Sequence, residues 1–340
     1  MMKEFLAIAS FGLAGGFARA TDFPAAEITN SQIRVRIYLP DAKKGYYRGT
    51  RFDWSGVIYS LQYKSHEFYG PWFQKVDDGV HDFVYQGQQI VAGPCSAITG
   101  PVDEFAPVGF NEAKSGESFL KIGVGMLRKP DNANYDKYRL YEISAGGQWT
   151  VRKGGEFVEF RQELRDRASG YGYYYEKNVR LTKGMPGMTL VHRFRNTGEK
   201  PIQTSVYNHN FLVMDNQPPG PDFVITLPFV ITSRRPPNKE LAEIRGNQIV
   251  YLKTLAGRDV VATPIQGFGN TANDHEICIE NRKLGVGVKI RGDRPLINES
   301  LWAIRSVIAM EPFISVGVGP DQEFSWSTTY EYYSLPTGEQ

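Results

Sequence analysis

The stretch that most constrains the fold is residues 189–215, TLVHRFRNTGEKPIQTSVYNHNFLVMD. Leu190, His192 and Phe194, then Ile202, Thr204 and Val206, recur at every second position, the period that turns alternate side chains of an extended chain to opposite faces. Between the runs, Asn196-Thr-Gly-Glu-Lys-Pro201 collects turn formers, with Gly198 free to take a positive φ and Pro201 restarting the chain. The stretch therefore reads as one β-hairpin. Its second arm runs into Tyr207-Asn-His-Asn-Phe211, where a histidine between two amides interrupts an apolar strand. Polar groups there are costly unless they face water, a partner or a ligand. That makes His209 the first candidate for chemistry.

The same alternation recurs along the chain. Residues 33–39, 57–63, 83–85 and 89–92 are strand-like, followed by 120–127, 138–143, 157–164, 171–181, 188–195 and 206–214. Further strands are expected at 223–227, 248–253, 276–280, 285–290, 303–310 and 324–333, with turns rich in Gly, Asn, Asp or Pro between nearly all of them. One short helical pattern covers 238–244. Many brief strands without alternating helices predict an all-β sandwich or barrel. No repeat of fixed period and no low-complexity linker divides the 340 residues, and the Pro-rich segments 218–221 and 234–238 are rigid loops, so residues 21–340 are expected to form a single domain. Irregular strand lengths and a hydrophilic tail at 336–340 argue against an outer-membrane barrel.

The net charge of +2, with both signs interspersed, leaves no basic stripe for nucleic acid and no polybasic membrane patch. Aromatic residues at 13 % suit strand packing and also sugar-stacking surfaces. At the N-terminus, Lys3, an apolar run over 5–17 and Ala18 and Ala20 around Arg19 have the layout of a secretory signal peptide over residues 1–20. The mature chain is then expected to be secreted or periplasmic, or cytoplasmic if the segment is instead a buried or frayed N-terminal helix, with no other run long enough to span a bilayer. Cys95 and Cys278 lie far apart with no CxxC spacing. They suggest no zinc site, and are either linked after export or two buried free thiols.

Among the five histidines, His192 lies on the alternating face of a strand and is read as structural, His66 and His81 lie in polar turns, and His275 stands at a strand start. One carboxylate differs from the rest. Glu311 sits in the apolar run 306–314, directly before Pro312, where a lone carboxylate has either a pKa raised by desolvation or a dedicated partner. Either suits a general base. The glycine-punctuated segment 45–56 adds Arg48, Arg51, Asp53 and Trp54. Asn298-Glu-Ser300 is a glycosylation-type triplet.

Taken together, Asn196-Thr-Gly-Glu-Lys-Pro201, Asn208-His-Asn-Phe211, Met310-Glu-Pro312, Val318-Gly-Pro-Asp321 and Thr328-Thr-Tyr-Glu-Tyr332 resemble, in order and spacing, motifs of the aldose 1-epimerase (galactose mutarotase-like) superfamily. The resemblance implies a large antiparallel β-supersandwich with a sugar-binding cleft. It implies acid–base ring opening of a sugar, with no metal and no organic cofactor: His209 as the acid, Glu311 as the base, and Arg51, Asn208 and Trp54 as substrate-binding residues. Members usually carry a further histidine early in the chain. The nearest segment here, 98–105, has none, which points away from plain galactose or glucose and toward an unusual sugar or a binding-only descendant. Two alternatives stay open. One is a non-catalytic carbohydrate-binding protein in which Trp54 and Trp302 stack on a sugar or oligosaccharide; the other is a polysaccharide lyase or hydrolase on a related sandwich. The enzyme reading expects His209 and Glu311 to face each other with one sugar ring between them, and the lyase reading expects a long open groove.

Overall fold

The computed structural model describes residues 23–336; the expected signal segment at residues 1–20 lies outside the described residues. The alternating runs pair almost wholly antiparallel, and the two largest of five sheets among the described residues make up the sandwich. In the larger, ten strands follow the order Gln148–Lys153, Phe157–Asp166, Tyr171–Leu181, Gly187–Asn196, Glu323–Ser334, Val286–Gly292, Glu276–Asn281, Phe223–Thr226, Gln248–Tyr251 and Ala242–Arg245. In the smaller, five follow the order Val260–Ile265, Asn298–Ile304, Val307–Val318, Ile202–Leu212 and Gly100–Phe105. The expected all-β, galactose mutarotase-like sandwich is the observed fold. Among the described residues the only helices are the 3-10 turns Met214–Asn216 and Ala272–Asp274, and no helix is long and apolar enough to cross a membrane.

Residues 189–215 do not form the expected hairpin. Gly187–Asn196 pairs with Tyr171–Leu181 and Glu323–Ser334 in the larger sheet, whereas Ile202–Leu212 pairs with Val307–Val318 and Gly100–Phe105 in the smaller. The turn between them carries the chain from one sheet to the other. Asn196 holds this corner: its Nδ2 donates to Lys200 O at 2.8 Å and Val318 O at 3.0 Å, while its Oδ1 accepts from Gly198 N–H at 2.9 Å. Gly198 does not use the left-handed region. It is needed because a Cβ there would stand 2.4 Å from Gly172 N.

Four further expectations are corrected. Residues 303–310 are no single strand: they hold the end of Asn298–Ile304, a turn at Arg305 and Ser306, and the start of Val307–Val318. Residues 120–127 are two strands, Ser118–Lys121 and Gly125–Arg128, folded back by a turn in which Gly123 takes φ 77°. Residues 138–143 are mostly irregular, because Asp136 Oδ1 accepts from Tyr138 N–H at 3.0 Å and winds the chain into a side-chain-closed turn. The expected helix at 238–244 is a turn closed by Asn238 followed by the strand Ala242–Arg245, which pairs with Gln248–Tyr251 through a tight reversal at Gly246, φ 62°.

Between the two sheets, Leu190, Val288 and Ile290 pack with Leu301, Ile308 and Met310. Burying each such side chain contributes about 1.5–3 kcal/mol. The other face of the smaller sheet is covered by an aromatic cluster that includes Phe52, Trp54, Trp72 and Phe211. The inter-sheet layer also holds a polar network. Asp103 accepts from Lys177 Nζ at 2.7 Å and Asn208 Nδ2 at 3.0 Å, with His192 Nε2 at 2.9 Å; Tyr330 Oη donates to Asn208 Oδ1 at 2.5 Å and Asn210 Oδ1 at 2.8 Å. His192 is structural, as expected, with its ring stacked on Trp326. Cys95 and Cys278 are free thiols, Cys95 buried and Cys278 half-buried.

Candidate functional site

The site grows out of cross-strand register on the smaller sheet. Along Ile202–Leu212, Val206, Asn208 and Asn210 point toward the larger sheet, so the intervening Tyr207, His209 and Phe211 point the other way. The pairings Tyr207↔Phe313 and Asn210↔Met310 set His209 opposite Glu311, and Ser300 stands opposite Glu311 on the next strand. Side chains directly opposite across a pair are neighbours. Ser300, Glu311 and His209 thus form a row across three strands. The polar triplet is also explained: its amides face the inter-sheet network and only the histidine faces outward.

The row is tightly bonded. His209 Nε2 lies 2.9 Å from Glu311 Oε1, and Ser300 Oγ donates to Glu311 Oε2 at 2.7 Å. His209 is seated by a parallel stack on Phe211 at 3.7 Å and edge contacts to Phe52 and Trp302. Its Nδ1 is buried without a partner. Burial lowers the His209 pKa against the pull of Glu311. Burial alone would raise Glu311, but the charge and hydrogen bond of His209, with that of Ser300, outweigh it and hold the carboxyl below its usual value. Of the two states expected for Glu311, the dedicated partner is the one found. The expected gap between the two residues is absent: they touch, so a ring could lie over the pair and not between its members.

The row floors a cavity of about 260 Å³. Trp72, Phe83, Phe211 and Trp302 supply apolar wall, and Arg51, Asp82, Ser96, Lys137, Tyr138 and Arg235 supply polar wall. Lys137 and Tyr138 come from the irregular segment after the Asp136 turn.

Of the substrate-binding residues expected from the sequence, Arg51 lines the cavity, but each of its nitrogens already has a protein partner: Nε to Glu104 Oε2 at 2.6 Å, one terminal nitrogen to Tyr207 Oη at 3.1 Å, the other to Ser96 Oγ at 3.4 Å. Tyr207 also donates to Glu104. Burial works to raise Glu104, yet Arg51 and Lys121 hold it down at about 2. Arg51 therefore braces the wall through a buried carboxylate. Trp54 does not reach the cavity; it is packed in the aromatic cluster with Nε1 donating to Gly49 O at 2.8 Å. Asn208 is likewise turned away, into the inter-sheet network. Trp302, expected as a stacking surface, does line the cavity.

Sequence reading missed Ser300, Glu104, Lys137 and Tyr138. Ser300 and Glu104 could be found only from register, since each owes its place to the residue across from it. Among the described residues, no group of three or more His, Cys, Asp or Glu side chains is placed to hold a metal ion.

No family model matches this chain, and no curated protein matches it in sequence. Solved structures do match. A galactose mutarotase related enzyme from Lactobacillus acidophilus is 13% identical over 93% of this chain and 99% of that one, with a TM-score of 0.52. The GalM/aldose epimerase homologue from C. elegans is 10% identical over 92% and 99%, also with a TM-score of 0.52. A galactose mutarotase-like protein from Clostridium acetobutylicum is 10% identical over 93% and 100%, with a TM-score of 0.50. At such identities the likeness establishes the fold, which is galactose mutarotase-like, as the motifs implied.

Proposed function

We propose that this protein binds a sugar over the His209–Glu311 pair and interconverts its anomers, as an aldose 1-epimerase-like isomerase. The observation that carries this reading is the 2.9 Å contact between an imidazole and a carboxylate on the floor of an aromatic-walled cavity. Ring opening needs a base at the anomeric hydroxyl and an acid at the ring oxygen. Both oxygens are bonded to the same carbon, so two neighbouring groups under the ring can reach both.

In the forward step the Glu311 carboxylate takes the proton of the anomeric hydroxyl while protonated His209 gives its Nε2 proton to the ring oxygen. The bond from the anomeric carbon to the ring oxygen breaks, and its electron pair goes to that oxygen. The former hydroxyl becomes the carbonyl of the open chain. After rotation about the adjoining carbon–carbon bond, the freed hydroxyl adds to the other face of the carbonyl. His209 recovers its proton from that hydroxyl and Glu311 returns its own to the new anomeric oxygen. Ser300 positions the carboxylate through its second oxygen. The cavity is slightly smaller than pockets for drug-sized ligands, roughly 300–1,000 Å³, which suits one sugar unit better than a polysaccharide and so disfavours a lyase.

The binding-only reading is supported by a different observation: both Glu311 oxygens already have partners, and Arg51 is tied to Glu104. The two are separated by following α-to-β exchange of freshly dissolved hexoses, uronic acids and sugar phosphates by NMR. Exchange faster than in buffer alone for at least one sugar supports the isomerase; binding of a sugar with no acceleration supports the binding protein.

A further inference from the structure

Two cations in the wall of the His209–Glu311 cavity make no contact ion pair among the described residues. Around the cavity, Arg51 and Lys121 both face Glu104, the latter at 3.8 Å, and His209 faces Glu311. Lys137 and Arg235 also line the cavity, and among the described residues neither takes part in an ion pair. The Lys137 ammonium is half-buried and lies 5.2 Å from the centre of the Tyr138 ring. Burial, then the nearby positive charge of Arg51, lowers its pKa against the pull of the carboxylates of Glu104, Glu311 and Asp82, none of which is in ion-pair contact with it among the described residues. Arg235 is exposed, but its backbone is fastened: its N–H donates to Ser233 Oγ at 3.2 Å and its carbonyl accepts from Thr263 Oγ1 at 2.8 Å. The guanidinium itself has no hydrogen-bond partner among the described residues. The cavity's acids, in contrast, are engaged, Glu311 by His209 and Ser300 and Asp82 by Ser96 Oγ at 2.6 Å.

We infer that the cavity takes a sugar bearing an anionic substituent, a carboxylate or a phosphate, with Lys137 and Arg235 holding the anion while the anomeric carbon lies over His209 and Glu311. This rests on the sugar reading above and deepens it. A neutral hydroxyl could accept a hydrogen bond from either cation but would leave both without a contact ion pair. An anion satisfies both, and the flat guanidinium fork matches the paired oxygens of a carboxylate or phosphate.

The test uses the full chain carrying Glu311→Gln, which keeps the cavity but cannot turn the sugar over. Binding is measured by calorimetry at low salt for glucuronate, galacturonate and glucose 6-phosphate against glucose and galactose. At least one acidic sugar is expected to bind about 10- to 100-fold more tightly than its neutral counterpart, the range of a charge-assisted hydrogen bond. That ratio is expected to fall at least several-fold when Arg235→Gln, at an exposed position, or Lys137→Met is added. A preference for uronates alone identifies a carboxylate, and one for glucose 6-phosphate alone identifies a phosphate. Equal binding of acidic and neutral sugars, or a ratio unchanged in both variants, overturns the inference while leaving the sugar reading standing. Binding of no sugar at all removes both.

Discussion

Asp103 and Glu104 are consecutive residues of one strand, both are buried, and their carboxylates serve opposite faces of the smaller sheet. Asp103 closes the inter-sheet network with Lys177, His192 and Asn208; Glu104 binds Arg51 and Tyr207 under the cavity wall. The alternation that separates Asn208 from His209 separates these two as well. One sheet thereby carries a structural polar layer on one side and a candidate reaction site on the other.

Acid lability follows from that layer. Burial would raise Asp103, but the charges of Lys177 and His192 outweigh it and hold its carboxyl well below the usual range, and Glu104 is held at about 2. Groups depressed in the folded state give stability that is fully present above their unfolded values, about 3.9 for Asp and 4.3 for Glu, and that is lost as pH falls through the folded values. Urea unfolding at a series of pH values is expected to show stability declining from about pH 4.3 toward about 2. Asp103→Asn leaves Lys177 buried without its nearest counter-charge, and is expected to cost about 3–5 kcal/mol at neutral pH. It should also flatten the acid decline. A variant as stable as wild type, or as steeply acid-sensitive, would contradict the assignment.

Glu299 behaves in the opposite sense. It lies on Asn298–Ile304, is fully buried, and neither carboxylate oxygen has a partner. Burial raises its pKa to about 8. A carboxyl raised in the folded state gives stability that is whole below the unfolded value, about 4.3, and is lost as pH rises toward the folded one. Glu299→Gln is therefore expected to match wild type near pH 4 and to exceed it at pH 8 by on the order of 3–5 kcal/mol, read from unfolding curves at the two pH values. No gain at pH 8 would show that the carboxyl has found a partner.

The proposed chemistry sets its own pH profile. The base must be ionised and the acid protonated. Glu311 is lowered and so stays ionised well into mild acid, while burial lowers His209 and makes its protonated form scarce at neutral pH. Anomeric exchange is expected to speed up as pH falls from 8 to below about 6.5, the ordinary histidine value, and to slow again only once Glu311 protonates. A rate that rises steadily with pH would assign the acid to another group.

The crossing between sheets makes a separate demand. A methyl group on Gly198 would press on the backbone of Gly172. Gly198→Ala is expected to destabilise the fold by about 1–3 kcal/mol, measured by thermal or urea unfolding. An unchanged midpoint would mean that the corner can open at no cost.

Period-two patterning made the strands legible, because burial of one face is a local property of each run. It could not show which sheet a strand joins, and so 189–196 and 202–212 read as a hairpin when they part company at Asn196. His209 and Glu311 stood out as polar interruptions of apolar strands, a local signal that their register later explained. Asn208 stood out for the same reason, yet it fills the inter-sheet network, and Trp54, singled out in a glycine-punctuated segment, fills the aromatic cluster. A polar or aromatic side chain in a strand shows that a partner is needed, and only the sheet pairing shows which. Lys137 and Tyr138 were hidden because a turn closed by Asp136 turned an apparent strand into the cavity wall.

In the proposed reaction Glu311 takes the anomeric proton while His209 supplies the ring-oxygen proton. It is tested most directly by NMR exchange spectroscopy on wild type and Glu311→Gln with whichever sugar the wild type binds. Wild type is expected to accelerate anomer exchange and the variant to lose about 10²- to 10⁴-fold of it, the usual contribution of one positioned acid–base group, with sugar binding retained. Equal exchange rates for the two proteins would contradict it.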